Sequence, residues 1–190
     1  MTLWKFLTNR FPSRRDLSLV FLVSAFPVAG WSWIIFFYDL HSLLLNLRLS
    51  QLINIFAYIQ VITLIESALL FALDTLLAVL LPRRLFLGNY VSQSTLLILT
   101  LALWAVGFHL NSEQIALGNA ASNTTLRTIW TGVWVAVFLA LSILIRYRTR
   151  WNAQILSFVD RLSFVSGVYL FFPLVSLPYV LIRYIVLLLS

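Results

Sequence analysis

Residues 52–81 form an almost unbroken run of apolar side chains in which the only charges are Glu66 and Asp74. About 20 apolar residues carry a helix across a hydrocarbon core of about 30 Å. At about 1.5 Å per residue this run extends about 45 Å, so as a helix it must tilt or project beyond the core. Backbone amides find no water inside a bilayer and must bond within their own segment, which leaves a helix as the only solution for a single strand of chain. Four more runs of the same kind fall at about 17–38, 92–110, 128–145 and 158–189. The expected fold is therefore an all-α integral membrane protein, a single transmembrane domain over 1–190 with about five spans.

Composition agrees with oil as the solvent. The chain is 62% hydrophobic and 10% charged, with a mean hydropathy of +0.98, far from the balance of a water-soluble domain. The net charge of +7 comes from basic residues beside the apolar runs and builds no solvated basic face. It points to anionic lipid headgroups and away from nucleic acid. With no cysteine, disulfides, thiolate metal sites and cysteine nucleophiles are excluded. Lys5, Arg10, Arg14 and Arg15 precede the first run as they would in a signal peptide. That run continues past Trp31 and Trp33 without a small-residue cleavage site, so it reads as a retained span.

Residues 2–11 put Leu3, Trp4, Leu7 and Phe11 on one helical face and stop at Pro12, the pattern of a short interfacial amphipathic helix. Ser13 and Asp16 have capping-box spacing ahead of the first span, as do Ser157 and Asp160 ahead of the last. The Leu-rich stretch 39–51 reads as an interfacial connector, and 111–125 is the most polar one. Pro27 predicts a kink in the first span. Pro173 and Pro178 leave the last either one kinked crossing, the preferred reading, or a re-entrant pair.

Five spans set Lys5, Arg10, Arg14, Arg15, Arg83, Arg84, Arg146, Arg148, Arg150 and Arg161 on one side, against Arg48, Arg127 and Arg183 on the other. The positive-inside rule makes the richer side cytoplasmic, with the N-terminus inside and the C-terminus outside. The expected location is a plasma or bacterial inner membrane. The tryptophans and several tyrosines fall largely near the predicted interfaces, as an aromatic belt would. No internal repeat marks a pseudosymmetric transporter.

Candidate functional residues are few. Gln60, Thr63, Ser67 and Asp74 share one side of the second span, with Glu66 somewhat off that face. Acids inside a membrane should face protein or water. Glu66 lies near mid-membrane and Asp74 about 12 Å closer to the cytoplasm. The stripe either binds polar groups of neighbouring helices, in this chain or a partner, or handles an ion or proton through its two acids. Arg146 and Arg161 are candidate partners for Asp74, whereas Glu66 has no evident basic partner in the chain. Thr128, Gly132, Ala136 and Ala140 repeat a small residue every fourth position on the fourth span, which permits close helix–helix approach within the chain or with a second protein. Ala25, Ala29, Ser163 and Gly167 do the same on a smaller scale.

His41 and His109 fall at similar depth near the outer interface. That admits a haem or chlorophyll-type pigment, although no cofactor is required and neither histidine sits in a ligand motif. No His pair has metal-site spacing, and no nucleotide loop or serine-base constellation appears. The sequon at Asn123 matters only in a secretory setting. Catalysis has no positive support. The sequence is best read as a non-catalytic accessory or structural subunit of a larger membrane complex, packing against lipids and either partner subunits or copies of itself. The alternative is a small ion, proton or lipid transporter using the acids of the second span.

Overall fold

The computed structural model describes residues 12–80, 89–111, 120–147 and 149–189. Every regular element among them is helical: α1 (Arg14–Asn46), α2 (Leu49–Leu80), α3 (Tyr90–Leu110), α4 (Ala120–Tyr147) and α5 (Thr149–Leu189). All five are long and apolar enough to cross a membrane, which supports a multi-pass membrane protein. At about 1.5 Å per residue, the 21 residues of α3 span about 32 Å. The 41 residues of α5 span about 62 Å, about twice the hydrocarbon thickness. The interfacial helix expected at 2–11 lies outside the described residues, as do Arg83, Arg84 and Arg148.

The helix ends depart from the sequence reading in ways that local chemistry explains. The stretch read as an interfacial connector after Tyr38 continues α1 to Asn46. It holds neither Gly nor Pro, so nothing interrupts the backbone ladder. The break falls at Leu47 and Arg48. There the Arg48 amide donates to Gln51 Oε1 at 2.9 Å, the return half of a capping box that starts α2. α1 itself begins directly after Ser13, with Asp16 in its first turn. α5 begins at Thr149, so Ser157 and Asp160 lie inside a helix and cap nothing. α4 begins at Ala120, which turns part of the polar connector into helix.

α5 runs as one helix through Pro173 and Pro178. Each proline lacks the N–H that would bond the carbonyl four residues earlier, at Tyr169 and Leu174. Serines and threonines inside the apolar helices bond back to their own helix, as Ser24 does to Val20 (2.9 Å), Ser67 to Thr63 (2.7 Å) and Thr95 to Val91 (2.7 Å). That satisfies each hydroxyl without a second helix, which is why these residues are tolerated in such segments.

The chain divides into two compact units, Arg14–Thr75 with Val159–Ser190, and Leu76–Phe158. In the first, the core is aromatic. The Trp33 ring meets Tyr169 and Phe172 at 5.1 Å each and Phe56 at 6.2 Å, all edge-on, and Phe36 meets Phe56 at 5.0 Å. These are the offset geometries that the ring quadrupole favours. Trp33 thus belongs to the packing among α1, α2 and α5, although its sequence position suggested an interfacial anchor. The Thr63 and Ser32 hydroxyls share a hydrogen bond at 2.8 Å, and the Tyr179 hydroxyl donates to Asn54 Oδ1.

In the second unit, α3 and α4 meet through indoles. The Trp104 and Trp134 rings are 6.1 Å apart, and Trp130 Nε1 donates to the Trp104 carbonyl at 3.3 Å. Gly107 makes room for this approach, because a methyl built there would lie 2.8 Å from Trp130 Cζ2. At the start of α3, Ser92, Gln93, Ser94 and Thr95 are all buried. Ser92 donates to Asn152 Oδ1 on α5. Gln93 and Ser142 of α4 exchange two bonds, Nε2 to the Ser142 carbonyl at 3.1 Å and the Ser142 hydroxyl to Oε1.

Candidate functional site

The polar stripe of α2 faces inward. Gln60, Thr63, Ser67 and Asp74 are each at most 2% exposed. Two of them are accounted for: the Thr63 hydroxyl donates to the Ile59 carbonyl and shares a second hydrogen bond with the Ser32 hydroxyl of α1, and Ser67 donates to the Thr63 carbonyl. Gln60 is different. Neither its carbonyl nor its amide nitrogen meets a hydrogen-bond partner among the described residues, and the Trp33 indole N–H in the same unit is likewise unmatched. A buried amide without partners costs several kcal/mol by transfer to hydrocarbon, roughly 4–8 on alkane scales.

Glu66 turns out of the stripe. Adjacent residues on a helix stand about 100° apart, so the neighbour of buried Ser67 leaves the stripe. Glu66 is exposed, among the exposed apolar side chains Ile62, Ile65, Leu69 and Leu73. Among the described residues it makes no hydrogen bond or ion pair. It stands near the middle of α2, about 26 Å from Leu49 and about 21 Å from Leu80 along the axis. An ionisable side chain on the lipid face at a helix centre costs roughly 2.5–3.5 kcal/mol on insertion scales. The two acids of α2 therefore open on different surroundings, Glu66 exposed and Asp74 buried, and the one hydroxyl between them, Ser67, bonds back to its own helix.

α4 carries its small residues outward. Thr128, Gly132, Ala136 and Ala140 are all exposed, and none of the described residues lies within 4 Å of a methyl built on Gly132. The side of α4 that meets α3 holds Trp130 and Trp134, roughly opposite on the helical wheel, with Ser142 at its flank. Arg127, Thr128, Thr131, Gly132 and Val135 line a shallow open groove of about 540 Å³ along this outer side, with the Arg127 guanidinium 5.6 Å from the Phe108 ring. The smaller-scale pairs divide: Ala25 and Ala29 are buried, whereas Gly167 is exposed with open space around it.

His41 and His109 are both exposed, near the ends of α1 and α3, and fall in different units. No group of three or more His, Cys, Asp or Glu that would hold a metal occurs among the described residues. The buried Ser92–Thr95 cluster is the feature that sequence reasoning missed. Its one sequence-level signal is four polar residues in a row at the start of an apolar run that needs none of them. Comparison of the chain with protein-family models, with curated proteins and with solved structures finds no match.

Proposed function

We propose that this chain is a non-catalytic subunit of a larger membrane protein assembly, docking to partner helices through outward faces that its own fold leaves uncovered. One observation carries the reading: the stripe of small residues on α4, the surface best suited to close helix contact, faces away from α3, and none of the described residues packs on Gly132. Lipid chains are as apolar as leucine, so helices associate in a membrane through packing, and packing is closest where side chains are small. Anionic headgroups beside the basic ends of the helices complete the set of partners. In orientation, the clustering of basic residues supports a cytoplasmic N-terminus, an external C-terminus and residence in a plasma or bacterial inner membrane.

A carrier for an ion, proton or lipid built on Glu66 and Asp74 is the competing reading. The separate surroundings of the two acids weigh against a relay between them. Extraction from native membranes in a mild detergent, followed by native mass spectrometry, separates the two. The subunit reading expects other proteins at fixed stoichiometry, released by Gly132→Leu while the chain keeps its helix content. A homo-oligomer with proton or ion flux that disappears in Glu66→Gln would replace it with the carrier.

A further inference from the structure

Glu66 lies within a regular seam. On α2, Ile55, Ile59, Ile62, Glu66, Leu69 and Leu73 succeed one another in alternating steps of four and three residues. Ile62, Glu66, Leu69 and Leu73 are exposed, and Ile55 and Ile59 are half-buried. This is the 3.5-residue rhythm with which two helices pack side by side at a shallow left-handed crossing, in water or in lipid. A single polar residue in such a seam fixes register and partner, because every shifted arrangement leaves it facing apolar side chains.

The chemistry of the partner follows from charge. A mid-membrane carboxylate is most strongly held by a cation at the same depth. The chain has 13 Lys and Arg and two His, and none of them occupies the central third of any of the five helices among the described residues. A second copy would therefore bring another carboxylate or an apolar face to Glu66, and no countercharge. We infer that a transmembrane helix of a different protein, carrying Lys, Arg or His near its midpoint, lies along this seam and pairs with Glu66. The inference rests on the subunit reading and names the partner's chemistry. It uses a different helix from the small-residue stripe, so the two surfaces can be tested apart.

The experiment places a benzophenone amino acid at Leu69, and separately at Gly132, in the full chain expressed in its native membrane, and maps each adduct by mass spectrometry. The expected adduct at Leu69 joins a helix of another protein with a basic residue within about one turn of the cross-link. Glu66→Gln, nearly isosteric and uncharged, lowers its yield at least about tenfold. Glu66→Lys abolishes it, and exchange of the partner's basic residue for Glu restores it. Adducts to lipid alone, to a second copy of this chain, or to a helix without a central basic residue would overturn the inference, as would a yield indifferent to Glu66→Gln. Protein adducts at Gly132 with lipid alone at Leu69 would remove this inference and leave the subunit reading standing. Lipid alone at both positions would remove both.

Discussion

Replacing Gly107 by alanine sets a methyl carbon 2.8 Å from Trp130 Cζ2 and 3.5 Å from Cη2. Carbon atoms rest at about 3.5–4.0 Å, so the indole must withdraw by about 1 Å. The ring is 42% exposed, which leaves it a way out. Withdrawal, however, strains a bond from Nε1 to the Trp104 carbonyl that is already 3.3 Å long. Losing that bond costs about 0.5–1.5 kcal/mol, and opening the ring contact brings the total to the range of overpacking, about 1–3 kcal/mol. Against this, exchanging Gly for Ala inside a helix gains about 1 kcal/mol. Gly132→Ala collects the same gain with no cost, since none of the described residues lies within 4 Å of its new methyl. The two substitutions are chemically identical, so helix propensity cancels in their difference. Gly107→Ala should be the less stable of the two by about 1–3 kcal/mol. Reversible unfolding by SDS titrated into mild detergent micelles, followed by far-ultraviolet circular dichroism, measures that gap. A Trp130→Ala background should close it. Equal stabilities, or a gap that survives Trp130→Ala, would refute the packing of α4 on α3.

Two further substitutions probe the buried polar groups, by the same unfolding assay. Gln60→Leu removes an amide that has no partner among the described residues and should stabilise the chain by about 1–3 kcal/mol; a loss of stability would mean that the amide is satisfied in the membrane. Gln93→Leu breaks both hydrogen bonds to Ser142. It should cost about 0.6 kcal/mol, the average for a hydrogen bond between membrane helices, and at most about 1.7 kcal/mol, and a cycle with Ser142→Ala should assign most of that to the pair. A vanishing coupling energy would show that the pair does not join α3 to α4.

The spans were legible in the sequence because the signal for them is collective: no soluble structure accommodates such runs of Leu, Ile, Val and Phe. Helix ends were less so, since they depend on single residues with several uses. Ser157 and Asp160 have the letters of a cap, yet a helix that has already started at Thr149 passes straight through them. The Leu-rich stretch after Tyr38 reads as an interfacial connector, yet without Gly or Pro the ladder simply continues to Asn46. Spacing along α2 separates Glu66 from Gln60, Thr63 and Ser67, but only the neighbouring helices decide which side faces in. The same holds for the small stripe of α4, whose period is plain in the sequence and whose direction is not. The Gln93–Ser142 and Ser92–Asn152 pairs join residues 49 and 60 positions apart, and nothing local to either partner announces the other.

The central claim is that the outer face of α4 is covered by protein in the native membrane. A nitroxide attached at position 132 through Gly132→Cys, in a chain that has no other cysteine, reads that directly by its mobility and its accessibility to oxygen. In vesicles of pure lipid the label should be mobile and oxygen-accessible, and in native membranes immobilised and shielded. A label equally mobile and equally accessible in both would mean that lipid alone covers Gly132, and would contradict the account.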